Sequence, residues 1–238
     1  MSARRFLAAL ALAACLPAGT AAARAPASRP VVLELFTSEG CSSCPPADRL
    51  LARLAHQPGV LALGFHVTYW NSPAWRDRWS LPAADARQRH YAHYFAGGLF
   101  TPELVVDGRQ ALVGSDARGA LTAIHHAHPV QHVALALNVT PGGVDIVAGA
   151  GKGHADLFLF GYDRSRTTAI GRGENAGVAL READIVRSVM LAAGWHGAAE
   201  RVLLPRPAGA RLAAILQTPD GHILAVATSR ATTRAAGR

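Results

Sequence analysis

Two cysteines three positions apart, in Cys41-Ser42-Ser43-Cys44, stand between an apolar run at residues 31–36 and a stretch with helical patterning. Thiols at that spacing can close a small disulfide ring. The positive end of a helix favours a nearby thiolate, and the thiolate is the attacking species in disulfide exchange. Strand, CxxC and helix in that order therefore point to thiol–disulfide chemistry, with Cys41 as an exposed nucleophile and Cys44, one turn into the helix, as the resolving thiol. Zinc knuckles share the spacing, but a four-ligand zinc site wants a second such pair. The one remaining cysteine is Cys15.

Cys15 lies in a segment that reads as an address rather than as part of the fold. Arg4-Arg5 precedes an uncharged apolar stretch at 6–16 and small residues around 21–25, which is the pattern of a secretory signal over residues 1–25. Leu12-Ala13-Ala14-Cys15 also matches the tetrapeptide at which bacterial lipoproteins are cleaved and acylated. Either route exports the chain; the soluble periplasmic product is favoured, and a lipid at Cys15 would be its sole tie to a membrane. In an oxidising compartment a structural bridge across so small a loop gains little from restricting the unfolded chain. Exchange chemistry on protein thiols or disulfides is the better explanation of the pair.

Removal of residues 1–25 leaves 213 residues and, with Arg4, Arg5 and Arg24 lost and no acid, takes the formal charge from +8 to +5. The remaining positives are scattered, which argues against nucleic-acid binding. The glycine-rich run 171–177 lacks the strand–helix context of a phosphate loop, and no bound cofactor is expected.

The elements around the pair follow from periodicity. Residues 31–36 suit a buried strand, Leu50, Leu51 and Leu54 recur at helical spacing after Pro45-Pro46, and 60–67 is a second strand. A helix over 82–95, strands at 104–106 and 111–113 around Asp107-Gly108, and a helix over 116–127 capped by Ser115 complete the order β-α-β-α-β-β-α. That is the thioredoxin layout, and it predicts a thioredoxin-like α/β domain over residues 30–128. Beyond His128-Pro129 helical patterning is scarce. Seven short strand patterns at 133–139, 144–148, 157–162, 185–191, 201–204, 212–217 and 223–227 predict a mostly-β, sandwich-like domain over 129–229, followed by a disordered tail at 230–238.

Several side chains are candidates to line the site. Thr101-Pro102 precedes an inner strand, where a cis-proline loop would lie beside the CxxC. Glu34 is a candidate proton acceptor beneath the pair, and His66 ends the second strand near Cys41. Tyr69, Trp70 and Trp75 form an aromatic loop that would offer an apolar lip to a partner polypeptide. No metal is expected. The rival readings are a Cu(I) carrier using Cys41, Cys44 and His66, since soft thiolates suit that ion, and a binding module with an inert bridge.

The string from Leu35 to Asp48, with Phe65-His66-Val67, Tyr69-Trp70, Arg87-Gln88-Arg89, the run Thr101 to Gly108 and Gly173-Glu174-Asn175, resembles the domain of unknown function 1223 family. The resemblance implies an exported bacterial protein with a thioredoxin-like domain. It implies no substrate.

Overall fold

The computed structural model describes residues 28–95, 97–127 and 129–229. The expected signal segment with Cys15, the residue His128 and the expected disordered tail lie outside the described residues.

The first half runs β1 (Val31–Thr37), α1 (Pro45–Leu54), β2 (Val60–His66), α2 (Pro82–Phe95), β3 (Glu103–Val106), β4 (Gln110–Val113) and α3 (Ala117–His126). Among the described residues the second half contributes strands alone: β5 (Leu135–Thr140), β6 (Gly143–Ala148), β7 (Ala155–Ala169), β8 (Ala179–Trp195), β9 (Glu200–Leu204), β10 (Arg211–Gln217) and β11 (Ile223–Thr228). Each element expected from periodicity is present. Differences fall at the ends: α3 is capped by Asp116, not Ser115, because the Asp116 carboxylate accepts the Gly119 N–H at 2.9 Å. β7 and β8 are far longer than their apolar centres, since polar residues continue both strands into a two-stranded arm.

The molecule is mixed α/β, with one large mixed sheet and a small second sheet. The large sheet has eight strands in the order β11-β10-β7-β8-β2-β1-β3-β4, and the small one is β5-β6-β9. Four of the seven strands expected to form a β unit of their own thus extend the sheet of the first half. The junction is parallel pairing of β2 with β8 at Gly64 and Ile185. A Cβ on Gly64 would stand 3.2 Å from the Ala183 carbonyl oxygen, so this close approach favours a residue without one.

Strand alternation decides which side chains meet which layer. Val32 and Phe36 of β1 face the core under α2, which continues through Phe65, Phe160, Val186 and Ile215 across both halves. Val31, Leu33 and Leu35 face the opposite side and pack against the Leu50, Leu51 and Leu54 stripe of α1. On that same side the outer strands pack Leu157, Leu159, Leu212 and Leu216 against the small sheet through Val144 and Ile146.

Candidate functional site

Cys41 and Cys44 are joined as a disulfide, with Cα atoms 5.4 Å apart. They sit where β1 ends and α1 begins. The expectation that Cys44 lies within the helix needs correction: Cys44 is its N-cap, and Cys41 precedes the first turn. The reason is local. Pro45 and Pro46 have no N–H to donate back to residues 41 and 42, so the helical ladder starts with Ala47 and Asp48, whose N–H groups both reach the Cys44 carbonyl, at 2.8 and 3.1 Å. Few free N–H groups are therefore left at this helix end to favour a thiolate.

Hydroxyl groups stand at the sulfur instead. Thr101 Oγ1 donates to Cys41 Sγ at 3.3 Å, and Ser43 Oγ lies 3.4 Å from the same sulfur. The Trp70 indole N–H in turn donates to Thr101 Oγ1 at 2.7 Å. The Thr101-Pro102 peptide is cis, and its loop lies beside the disulfide as the sequence led us to expect.

Exposure is where expectation and structure part. Both cysteines are 0% exposed, so Cys41 is not an open nucleophile. Thr101 lies against the sulfur and is held there by Trp70, while a loop from the far half of the chain holds the backbone. Asn175 Nδ2 donates to the carbonyls of Glu39 at 2.9 Å and Cys41 at 3.0 Å, and the Ser42 N–H donates to Glu174 Oε2 at 3.3 Å. That loop is the tip of the β7–β8 arm. Sequence reasoning quoted Gly173-Glu174-Asn175 for the family resemblance alone and gave Asn175 no place at the disulfide.

Trp70 is 37% exposed and Tyr69 44%. Tyr69 reaches Gln88 Oε1 through its hydroxyl at 3.0 Å, and Gln88 donates to the Phe100 carbonyl beside Thr101. Trp75 is set back. Its indole N–H donates to Glu39 Oε2 at 2.9 Å, and Gly173 lies against its Cβ side, so it braces the loop rather than facing outward.

Glu34 is not beneath the pair. It shares the face of Val32 and Phe36, and α1 is on the other side of the sheet. There it is ion-paired with Arg87, whose Nη2 is 2.8 Å from Glu34 Oε1, and it accepts the Tyr91 hydroxyl at 2.6 Å. Gln217 Nε2 completes the buried network by donating to the Tyr91 oxygen at 2.9 Å.

A carboxylate on the correct side is Asp48, one helical turn beyond Cys44, buried and bonded by the Thr37 hydroxyl at 2.8 Å. Burial pushes its carboxyl up to about 6, against the opposing pull of His66 and the Thr37 bond. His66 is fully enclosed as well, with Nδ1 2.7 Å from Asp77 Oδ2 and Nε2 3.7 Å from Glu182 Oε1. Burial alone would lower its pKa, but the Asp77 charge and hydrogen bond outweigh that and raise it to about 9. With both ring nitrogens turned to carboxylates, His66 has no lone pair to offer a copper ion at the cysteines. Among the described residues no group of three His, Cys, Asp or Glu side chains has the geometry to hold a metal.

Burial raises the Glu182 carboxyl to about 8; His66 opposes this, and Asp48, Glu39 and Asp77 add to it. The linkage sign is the same for both groups. Between about 4.5 and 8 the folded chain holds a proton on Glu182 that the unfolded chain has lost, and between 6.5 and 9 it holds one on His66. Stability is therefore expected to fall as pH rises from 5 to 9. Replacing Glu182 by Gln should flatten the pH 5–8 part and raise Tm at pH 8 by roughly 5 °C, read by thermal denaturation across the range. An unchanged pH slope would show that Glu182 is ionised in the fold.

A disulfide at the head of a helix, capped by a hydroxyl relay and clamped by a distant loop, defines the site within a mixed α/β sheet. The chain belongs to the family described as proteins of unknown function, DUF1223, whose model matches residues 32–217. A crystal structure of a protein from Agrobacterium tumefaciens is similar to it at 28% identity, covering 90% of this chain and 100% of that one with a TM-score of 0.73. HBP35 of Porphyromonas gingivalis shares the fold at 14% identity, over 89% of this chain and 79% of that one, with a TM-score of 0.58. No curated protein matches.

Proposed function

We propose that this is an exported protein that exchanges disulfides with protein partners through Cys41 and Cys44, and that residues 30–128 form a thioredoxin-like unit to which a sandwich-like β unit is joined. The order β2-β1-β3-β4, with β1 parallel to β2 and antiparallel to β3, supports the thioredoxin-like reading, as does the cis-proline loop at the sulfur. The observation that carries the chemistry is the Trp70–Thr101–Cys41 relay. A hydroxyl donor on a sulfur stabilises the thiolate that must form there and does little for a permanent bridge.

In the reducing direction the Cys41 thiolate attacks one sulfur of a partner disulfide, and the other partner sulfur leaves as thiolate. Cys44, as thiolate, then attacks Cys41 in the mixed disulfide. The Cys41–Cys44 bond re-forms, the second partner thiol is released, and two electrons have passed to the partner. The oxidising direction is the reverse. Either direction requires the Trp70–Thr101 hold at the sulfur to open, and docking of a partner against exposed Tyr69 and Trp70 supplies that displacement. Export rests on the Arg4-Arg5 signal pattern, and the soluble periplasmic form is the one we favour over a lipid anchor at Cys15.

The complete burial of both sulfurs favours a second reading, a binding module whose bridge is inert. The two readings separate on a trapping experiment. With Cys44→Ala in the periplasm, exchange predicts Cys41-linked mixed disulfides on a non-reducing gel that vanish with dithiothreitol and are missing in Cys41→Ser. An inert bridge predicts no adducts in either variant.

A further inference from the structure

The far face of α1 carries a concentration of positive charge that the disulfide site does not use. Arg49, Ala52 and Arg53 repeat at the i, i+3, i+4 spacing of one helical stripe, and His56 follows in the turn beyond the helix end. Across from that stripe the β7–β8 arm presents Arg164, Ser165 and Arg181, and the two walls enclose a cleft of about 530 Å³. Four guanidinium groups and an imidazole thus line one small space.

The compensating acid is scarce. Arg164 is 3.6 Å from Asp184, while among the described residues Arg49, Arg53 and Arg181 have no carboxylate within ion-pair distance. Glu182 also lines the cleft, but its carboxyl is buried on the His66 side. Asp48, next along α1 from Arg49, is likewise turned inward to Thr37. Holding like charges this close costs energy that a multivalent anion would return. Arginine suits that task, because its planar fork grips phosphate or carboxylate through two parallel hydrogen bonds.

The other walls limit what can enter. Ala52, Ala55, Ala183 and Ser165 are small, and none of the lining residues is Phe, Tyr or Trp, so the cleft offers little apolar surface to a large ligand. A second cavity, near α3, also contains arginines, but there Arg29 is held by Asp107 at 2.6 Å and Asp116 adds a further acid. Among the described residues the α1 cleft sets four arginines against one lining carboxylate, Glu182, whereas the α3 cavity sets three against two.

We infer that the cleft between α1 and the β7–β8 arm binds a small multivalent anion with closely spaced oxyanion groups, gripped by Arg49, Arg53, Arg164 and Arg181. This site stands apart from the disulfide reading and does not depend on it. The test is calorimetric titration of the full chain at physiological ionic strength with inorganic pyrophosphate and, separately, with citrate. Binding in the micromolar range by either anion is expected, and the tighter of the two identifies phosphate or carboxylate as the preferred group. Arg49→Ala/Arg53→Ala should weaken it at least tenfold, while Arg109→Ala at the other cavity should not. The replaced side chains are exposed, so an unaltered circular dichroism spectrum will show that the variant folds. No binding of either anion, or equal loss in the Arg109 variant, would overturn the assignment.

Discussion

Replacing Arg87 by Met is expected to lower stability by about 3–5 kcal/mol, the usual consequence of leaving a buried carboxylate without its partner. Arg87 and Glu34 are 6% and 1% exposed, in the core that spans both halves of the chain. The guanidinium is enclosed by the rings of Phe65, Tyr91, Phe158 and Phe160, with centroids 4.9 to 5.8 Å away, and it also donates to Gln217 Oε1 at 3.0 Å. Methionine keeps much of the volume and loses the charge. For a chain of this size the loss corresponds to a fall in Tm on the order of 10 °C. The double variant Glu34→Gln/Arg87→Met removes the stranded charge, so it should recover more than half of the lost stability in a denaturant titration. A double variant no more stable than the single would mean that the ion pair is not what sets the cost.

Replacing Trp70 by Ala should accelerate reduction of the Cys41–Cys44 disulfide by dithiothreitol at least tenfold. The indole fixes Thr101 against a sulfur with no exposed surface, so its loss frees the Thr101 side chain and releases the hydroxyl relay. A gate of only about 1.4 kcal/mol corresponds to a tenfold change in the reactive population. Trp70→Phe retains a ring without the N–H and should fall between, which divides the effect into bulk and hydrogen bond. The rate is read from alkylation of the freed thiols. An unchanged rate in Trp70→Ala would place the barrier elsewhere, with the Asn175 clamp as the next element to test.

The elements of this fold were legible because their signals are local. Leu50, Leu51 and Leu54 recur at helical spacing, Asp107-Gly108 marks a turn, and Thr101-Pro102 announces the loop beside the sulfur. What escaped the sequence is long-range. Gly64 and Ile185 pair across the junction of the sheet, and Asn175 reaches back to Cys41; neither contact leaves a periodic trace. Glu34 is a different case. Its parity with Val32 and Phe36 already set it opposite the Leu33 and Leu35 face that meets α1, whereas Asp48, a turn beyond Cys44, was the acid to weigh. Burial of Cys41 was illegible because the Trp70 hold on Thr101 and the Asn175 clamp come from side chains whose reach no local pattern specifies.

The β2–β8 junction bears on how the molecule can be divided. Severing the chain near residue 129 would strip β2 of its outer neighbour and turn an interior strand into a raw border with unsatisfied backbone amides. It would also deprive the Cys41 carbonyl of its Asn175 donor. A fragment cut there would invite sticking to other chains, and its disulfide would sit in a looser loop than the one native to the protein.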